Sequence, residues 1–337
     1  MGIKDTKIWK FAKRIRNKHS AQANYKKLKN MPLCEYEDYL KKRTFEMMKR
    51  KSDYVTIPYI INFNNPVTFS EKRQWLKLYD QDPRKAIYTD KYEVRQHIKE
   101  VLGDGYLIPL IEIDGKDCFD SVKEIDFEKL PNSFVIKCTH GSHMNIIVKD
   151  KQSLSRATIR KYKKQLNKWL HINYAYVVAA ELQYKDLKPR LIIEQFFDFS
   201  GSSLTDYKFF CFGGIPEFVG VFENRWSESY TETYLDMNFK EIDYKLDNYK
   251  SNKQIVEPSC FKEMVRIAKI LCEDFKMVRV DLYTYRNKVY FGELTFSSAA
   301  GYDFPNPFSL DKKLGNLIKI DKSKREGNYK YRKHEND

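Results

Sequence analysis

The sequence predicts an α+β fold built mainly from antiparallel strands. Short β-branched and aromatic runs follow one another through short turns such as Gly213-Gly214, which suits antiparallel pairing. Apolar residues at helical spacing, as in residues 159–170, predict amphipathic helices between these runs. The length of 337 residues suffices for two packed domains.

The N-terminal part is predicted to be mainly helical. The first 30 residues are strongly basic and suit either an anionic membrane face or, as the favoured interpretation, a solvated helix. Thr68 followed by Glu71 fits a capping box that opens a helix through Trp75. A further helix is predicted over residues 90–102.

The rest of the chain alternates short strands with helices. A helix is predicted through residues 261–271, and the last residues form a basic tail. The predicted strands are Y-L-I-P-L-I-E-I, S-F-V-I-K-C, N-I-I-V, R-L-I-I-E-Q-F-F, D-Y-K-F-F-C-F and E-F-V-G-V-F. We therefore divide the chain into a helical region at 1–85, an α+β domain at 86–315 and a tail at 316–337.

Charge and cysteine content limit the function classes. The 61 Lys and Arg against 46 Asp and Glu give a net charge of +15, which suits either anionic partners or a soluble surface. No nucleic-acid motif accompanies this charge, so no nucleic-acid partner is predicted. Six cysteines without C-x-x-C, and the lack of a secretory signal or apolar spanning segment, predict a cytoplasmic protein.

The most informative segment is the predicted hairpin at residues 275–296, with its turn at 284–288. A turn centred on Asn287 sets Asp281 opposite Glu293 on one face. Opposed carboxylates repel each other, so the pair indicates a cation between them, and Mg²⁺ suits oxygen ligands that it shares with phosphates. The alternative is an exposed polar face with accidental pairing.

The same register places Arg279 opposite Thr295 on the carboxylate face. The other face is predicted to be apolar, with Val278, Val280, Leu282 and Leu294.

Lys137 ends an apolar strand and precedes a loop with Gly141 and Ser142. An ammonium group beside free backbone N–H groups can bind phosphate, although a lysine at a strand end can also simply reach water. His140 and His143 in this loop lack further metal-ligand spacing and are interpreted as loop histidines.

Two more strand residues are candidate ligands. Lys208 shares a strand face with Asp206 and offers a second phosphate contact, although a solvated ion pair is the favoured local interpretation. Glu194 ends the run L-I-I-E and is either a ribose contact or a surface carboxylate. The sequence contains no P-loop, dinucleotide fingerprint or nucleophile elbow.

Six ordered blocks across about residues 35–315 resemble the ATP-grasp superfamily, specifically its TupA-like branch from bacterial capsule and teichuronopeptide gene clusters. The blocks are T-F-S-E-K-R-Q-W-L, T-D-K-Y-E-V-R, L-P-N-S-F-V-I-K-C-T-H-G-S, P-R-L-I-I-E, D-Y-K-F-F-C-F, and R-V-D-L-Y with F-G-E-L-T-F. The resemblance implies a nucleotide, ATP, held between two α+β subdomains.

The resemblance also implies roles. Lys137 and Lys208 correspond to phosphate-contacting lysines, Glu194 to the acid near the ribose, and Gly141-Ser142 to the mobile phosphate cover.

On the hairpin, Asp281 and Glu293 correspond to the Mg²⁺ ligands, and Arg279 to the residue that steadies the transferred phosphoryl group. Thr295 stands where the family usually has Asn, which leaves a third protein ligand open.

The implied reaction activates a carboxylate as an acyl phosphate, which an amine then attacks. The expected partners are a small-molecule or nucleotide-linked sugar carboxylate and an amine, with contact to glycan machinery at the inner membrane face. Two rivals are a capsule glycosyltransferase and a catalytically silent nucleotide-binding module. The D-x-D sequence Asp80-Gln81-Asp82 supports the first only weakly, because it is predicted as a helix-ending turn.

Overall fold

The structure, a computed structural model, describes residues 25–51, 58–178, 180–198, 205–224, 228–244, 251–252 and 254–325. In these residues helices pack on two antiparallel sheets, which confirms the predicted α+β class. The basic segments at 1–24 and 326–337 lie outside the described residues, so what the sequence predicts for them stays a prediction.

The N-terminal helices are α1 (Leu33–Arg50) and α2 (Phe69–Tyr79). The predicted capping box opens α2. The backbone N–H of Glu71 donates to the Thr68 hydroxyl at 3.1 Å, and the backbone N–H of Thr68 donates to the Glu71 carboxylate at 3.0 Å. These bonds satisfy backbone donors that the first helical turn leaves free.

Two short helices follow, α3 (Arg84–Thr89) and α4 (Val94–Leu102). The predicted helix at 90–102 therefore begins at Val94. The Asp90 side chain accepts from the backbone N–H groups of Tyr92 and Glu93, which favours a turn over helix at this point.

The four-stranded sheet contains β1 (Cys118–Phe119), β2 (Phe134–Cys138), β3 (Asn145–Val148) and β4 (Leu191–Gln195), in the spatial order β1-β4-β2-β3. Helix α5 (Arg156–Leu170) packs against it. The predicted strand Y-L-I-P-L-I-E-I is wrong as a regular strand. It forms two isolated bridges, Leu110 to Glu194 and Ile113 to Lys116, and Pro109 lacks the N–H that a continuous ladder needs.

The five-stranded sheet contains β5 (Asp206–Phe212), β6 (Ile215–Glu223), β7 (Thr231–Leu235), β8 (Met277–Tyr285) and β9 (Lys288–Thr295), in the order β7-β6-β5-β8-β9. Helix α6 (Phe261–Leu271) covers one face. The predicted apolar face is confirmed, since its residues lie in one buried core with α6: Val278, Val280, Leu282 and Leu294.

The opposite face of this sheet is divided. At one end Phe210, Phe212 and Met277 share a core with α1, α2 and α7 (Phe308–Leu317). At the other end the same face carries Lys208 and Asp281. The polar face therefore begins where the cover of N-terminal helices ends.

The C-terminal region continues into this core, where Ile318 is fully buried. The domain boundaries at 85 and 315 stay predictions. Among the described residues, no helix has both the length and the apolar content that crossing a bilayer requires.

Candidate functional site

The hairpin of β8 and β9 turns at Arg286 and Asn287, whose φ angles are 50° and 59°. Two successive positive φ angles are typical of a type I′ turn. The turn is therefore shorter than the predicted turn at residues 284–288.

A β-bulge restores the predicted register. Leu282 pairs with Phe291 while Asp281 pairs with Glu293, so Gly292 is the extra residue. A Cβ atom at Gly292 would lie 2.8 Å from the Asp281 carbonyl oxygen, which leaves no room for a side chain. The predicted opposition of the two acids is confirmed, although it depends on a bulge that was not predicted from the sequence.

Asp281 is the centre of a buried charge cluster. Its side chain is 2% exposed, and its Oδ2 atom lies 2.6 Å from the Lys208 Nζ atom. Arg279 donates from Nε to Oδ1 at 2.6 Å and from Nη2 to Oδ2 at 2.8 Å. Asp206 adds a second carboxylate 3.7 Å from Lys208. Lys208 is itself buried, so the interpretation of a solvated ion pair is wrong.

Glu293 is the more open acid, with a side chain 33% exposed. Thr295 lies opposite Arg279, as predicted, and donates from its hydroxyl to Glu293 Oε1 at 3.1 Å. Burial raises the pKa of Glu293, but Lys91, Arg279 and Lys208 outweigh it and bring that pKa down to about 2. Glu293 is therefore a carboxylate at neutral pH.

Lys91 links the two sheets. Its Nζ atom donates to the Gly141 carbonyl at 2.7 Å and lies 3.8 Å from Glu293 Oε2. No role was predicted for Lys91 from the sequence, although the residue stands inside the block T-D-K-Y-E-V-R. Membership of that block was the only available signal.

The loop after β2 packs closely against Tyr174. Gly141 is buried, and a Cβ atom there would lie 2.8 Å from the Tyr174 ring. Burial raises the pKa of Tyr174, and a hydrogen bond with the Ser142 side chain opposes that shift. The predicted phosphate cover thus rests on Tyr174 and is attached to Glu293 through Lys91.

The two histidines of this loop do not converge on a metal. His140 is buried, with its Nε2 atom 3.2 Å from the Trp169 carbonyl, whereas His143 is exposed. In the part of the chain that the structure describes, no group of three or more His, Cys, Asp or Glu side chains is arranged to hold a metal ion.

Lys137 and Glu194 form a separate group on the four-stranded sheet. Val135 pairs with Glu194 and Lys137 pairs with Ile192, so both charged residues lie on one face. The Lys137 Nζ atom is 2.5 Å from Glu194 Oε2, and the two side chains are 20% and 10% exposed. Burial lowers the pKa of neighbouring Arg95, and Glu194 opposes that shift.

The D-x-D residues are engaged elsewhere. The Asp80 carboxylate lies 2.5 Å from Lys85 Nζ and 2.6 Å from Lys276 Nζ, and Asp82 lies 2.8 Å from Arg84. Burial raises the pKa of Asp80, but the two lysines outweigh it and lower that pKa. Because α2 ends at Tyr79, the predicted helix-ending turn is confirmed.

The oxygen donors on the five-stranded sheet fit Mg²⁺. Asp281 and Glu293 are opposed carboxylates, and Thr295 adds a hydroxyl beside Glu293. Carboxylate and hydroxyl oxygens are hard ligands, as Mg²⁺ requires, and Glu293 has an exposed edge from which a phosphate-bound ion could be reached.

Comparison with known proteins identifies the family. A sequence profile of the TupA-like ATPgrasp family matches residues 71–319, and no curated protein matches the chain in sequence. The fold is similar to D-alanine–D-alanine ligase from Bacillus anthracis, with 16% identity, 74% of this chain and 70% of that chain covered, and a TM-score of 0.38.

The corresponding enzyme from Helicobacter pylori gives 15% identity, 74% and 69% coverage, and a TM-score of 0.37. Phosphoribosylamine–glycine ligase from Thermotoga maritima gives 12% identity, 63% and 48% coverage, and a TM-score of 0.36. The profile match covers most of the chain, so the protein belongs to the TupA-like ATP-grasp family.

Proposed function

We propose that the protein is an ATP-dependent carboxylate–amine ligase that works through an acyl phosphate. The observation that carries this proposal is the face on which Asp281 opposes Glu293 beside two cations, Lys208 and Arg279. Phosphoryl transfer gathers negative charge on the γ-phosphoryl oxygens, and catalysis depends on cations already in position to stabilise it. This face has those cations fixed by hydrogen bonds.

We propose Asp281 and Glu293 as Mg²⁺ ligands, with the Thr295 hydroxyl as a candidate third. When bound with ATP, Mg²⁺ neutralises phosphate oxygens and polarises the phosphoryl group. Arg279 and Lys208 supply the protein's own positive charge at this point. Lys208 is buried and the Arg279 side chain is only 12% exposed, so water screens their charges little and their electrostatic effect is strengthened.

We assign the nucleotide contacts to the four-stranded sheet. Lys137 is a candidate phosphate contact, Glu194 a candidate ribose contact, and Gly141-Ser142 a candidate cover for the phosphates. The support is geometric: Lys137 and Glu194 lie on one face, and Lys91 connects the cover to Glu293. A phosphate at this face would compete with Glu194 for the Lys137 ammonium group.

For the substrate we propose a uronic acid or an amino-acid carboxylate, whose amide product enters a bacterial cell-surface polysaccharide. Family membership supports this choice, and the net charge of +15 suits an anionic glycan or nucleotide sugar. We propose a cytoplasmic location with contact to glycan machinery at the inner membrane face. The free thiols of Cys138, Cys211 and Cys272 are compatible with a reducing compartment.

The rivals lack comparable support. A metal-dependent glycosyltransferase typically carries its D-x-D sequence at the end of a strand, whereas Asp80 and Asp82 directly follow helix α2. A silent module would be expected to lack one of the opposed acids, and both Asp281 and Glu293 are present.

The test is turnover with ATP, Mg²⁺ and a panel of uronic and amino acids. Release of ADP and phosphate should require the carboxylate, and hydroxylamine without an amine should trap a hydroxamate. Arg279→Ala should depress trapping, whereas Arg266→Ala, which removes a half-exposed arginine paired with Glu263, should not. Release of AMP and pyrophosphate, or sugar transfer without ATP consumption, would contradict the proposal.

A further inference from the structure

The loop after β9 has an unusual backbone. Ala299, Ala300 and Gly301 follow one another with φ angles of 47°, 54° and 78°. Residues with a side chain disfavour this left-handed region, because Cβ approaches the following carbonyl oxygen. The loop therefore needs bonds from outside itself to hold this conformation.

Helix α2 supplies those bonds. Gln74 donates from Nε2 to the Gly301 carbonyl at 3.1 Å, and Lys77 donates from Nζ to the Ala300 carbonyl at 3.0 Å. A Cβ atom at Gly301 would lie 2.5 Å from Gln74 Nε2, so the absence of a side chain permits this approach. The helix thus docks directly on the loop.

A third side chain of α2 reaches the catalytic hairpin through the loop. Arg73, buried, donates from Nη1 to the Asp303 carboxylate and from Nη2 to the Asp303 carbonyl. The Ser298 hydroxyl donates to Asp303 Oδ2 at 3.2 Å. Arg279 then donates from Nη1 to the Ser298 oxygen at 2.6 Å. Because Ser298 gives its one proton to Asp303, a lone pair of its oxygen faces Arg279.

We infer that Arg73 is a positioning residue for Arg279, acting through Asp303 and Ser298, and this inference rests on the proposed function of Arg279. Asp281 holds the Nε and Nη2 atoms of Arg279, and Ser298 holds the remaining Nη1 atom. All three nitrogen atoms of the guanidinium group therefore have partners, and its orientation is fixed. The N-terminal helix is then part of the catalytic support.

A positioning role makes a distinct kinetic prediction. Misplacement of a group that acts on the transferred phosphoryl lowers kcat, because reaction depends steeply on geometry. ATP binding should change little, because among the described residues the hydrogen-bonded route from Arg73 to Arg279 runs through Asp303 and Ser298. Lys72 on the same helix is a matched control, because its Nζ atom donates to the Gly315 and Ile318 carbonyls and attaches α2 to α7.

The experiment compares Arg73→Gln, Ser298→Ala, their double variant and Lys72→Gln in the full chain. We expect Arg73→Gln and Ser298→Ala each to lower kcat for hydroxamate formation about tenfold or more, with the ATP Kd within about twofold of wild type. The double variant should match the worse single variant, because both break one relay. Lys72→Gln should keep its kcat. If Arg73→Gln does not fold, the inference is tested with Ser298→Ala, which removes only one hydroxyl group.

A second readout does not depend on activity. The Nε–H resonance of Arg279, assigned by its loss in Arg279→Lys, should shift in Arg73→Gln and Ser298→Ala but not in Lys72→Gln. The inference would be overturned if the kcat losses of the two single variants multiplied in the double variant, or if Lys72→Gln lost as much kcat. It would also be overturned if the Arg279 Nε–H resonance did not shift in Arg73→Gln and Ser298→Ala. A wild-type protein without ATP turnover would refute the proposed function, while the resonance would still decide the positioning role.

Discussion

The two sheets hold their charged residues in different ways. On the five-stranded sheet, Asp281 is almost fully buried and accepts hydrogen bonds from both Arg279 and Lys208. On the four-stranded sheet, Glu194 is buried but has, among the described residues, a single close ion-pair partner, Lys137, whose side chain is 20% exposed. The proposed phosphoryl-transfer face is therefore fixed before a ligand arrives, whereas the proposed nucleotide face keeps a pair that a ligand can exchange.

The difference has an energetic origin. A buried charge that loses its partner keeps its desolvation cost without compensation, whereas a partly exposed charge regains water. Variants on the first face should therefore lose stability as well as activity. Variants on the second face should lose mainly ligand affinity.

The largest effect is expected for Asp281→Asn. The substitution leaves the buried Arg279 and Lys208 without their shared carboxylate, so we expect loss of Mg²⁺-dependent ATP turnover and about 3 kcal/mol of stability. ADP release and urea unfolding measure the two effects. An unchanged free energy of unfolding would show that the hydrogen-bonded cluster around Asp281 is not formed in the protein without ligand.

A matched pair of lysine variants compares the two faces directly. Lys208→Met should lower turnover and stability together, because it leaves Asp281 with one cation in a buried site. Lys137→Met should raise the KM for ATP while costing only about 1 kcal/mol, because the Lys137 side chain is 20% exposed and the positive charge of Arg95 remains near Glu194. Equal unfolding free energies in the two variants would remove the contrast between the sheets.

The bulge can be tested with Gly292→Ala. The added Cβ would meet the Asp281 carbonyl at 2.8 Å, so we expect a loss of about 1–3 kcal/mol and a weaker dependence of turnover on Mg²⁺. Gly105→Ala is the control, because a Cβ there has open space. A Gly292→Ala protein with wild-type stability and Mg²⁺ response would show that the register does not need the bulge.

The smallest effect concerns acid stability. The pKa of Glu293 is lowered from 4.5 to about 2, so the unfolded chain binds its proton first as pH falls. The contribution of Glu293 is therefore present above pH 4.5 and lost between pH 4.5 and about 2. Thermal unfolding should depend less steeply on pH in Glu293→Gln over this window. Parallel curves for variant and wild type would contradict the assigned shift.

Local patterns in the sequence determined the α+β class, the capping box at Thr68 and the opposition of Asp281 to Glu293. Side-chain alternation and helix caps involve neighbours in the chain, so their physical causes can be read from the sequence. The hairpin shows the limit of this reasoning. The correct register was predicted from a turn centred on Asn287, whereas the structure combines a shorter turn with a bulge at Gly292.

Only the tertiary structure decided the burial of Lys208, the linking role of Lys91 and the contact of Arg73 with Asp303, residues 230 positions apart. A lysine near an aspartate has the same sequence pattern whether the pair is exposed to water or buried in a core. The electrostatic energy of the pair depends on which parts of the chain shield it from water. That cover comes from distant helices and loops, whose placement follows from the packing of the whole chain.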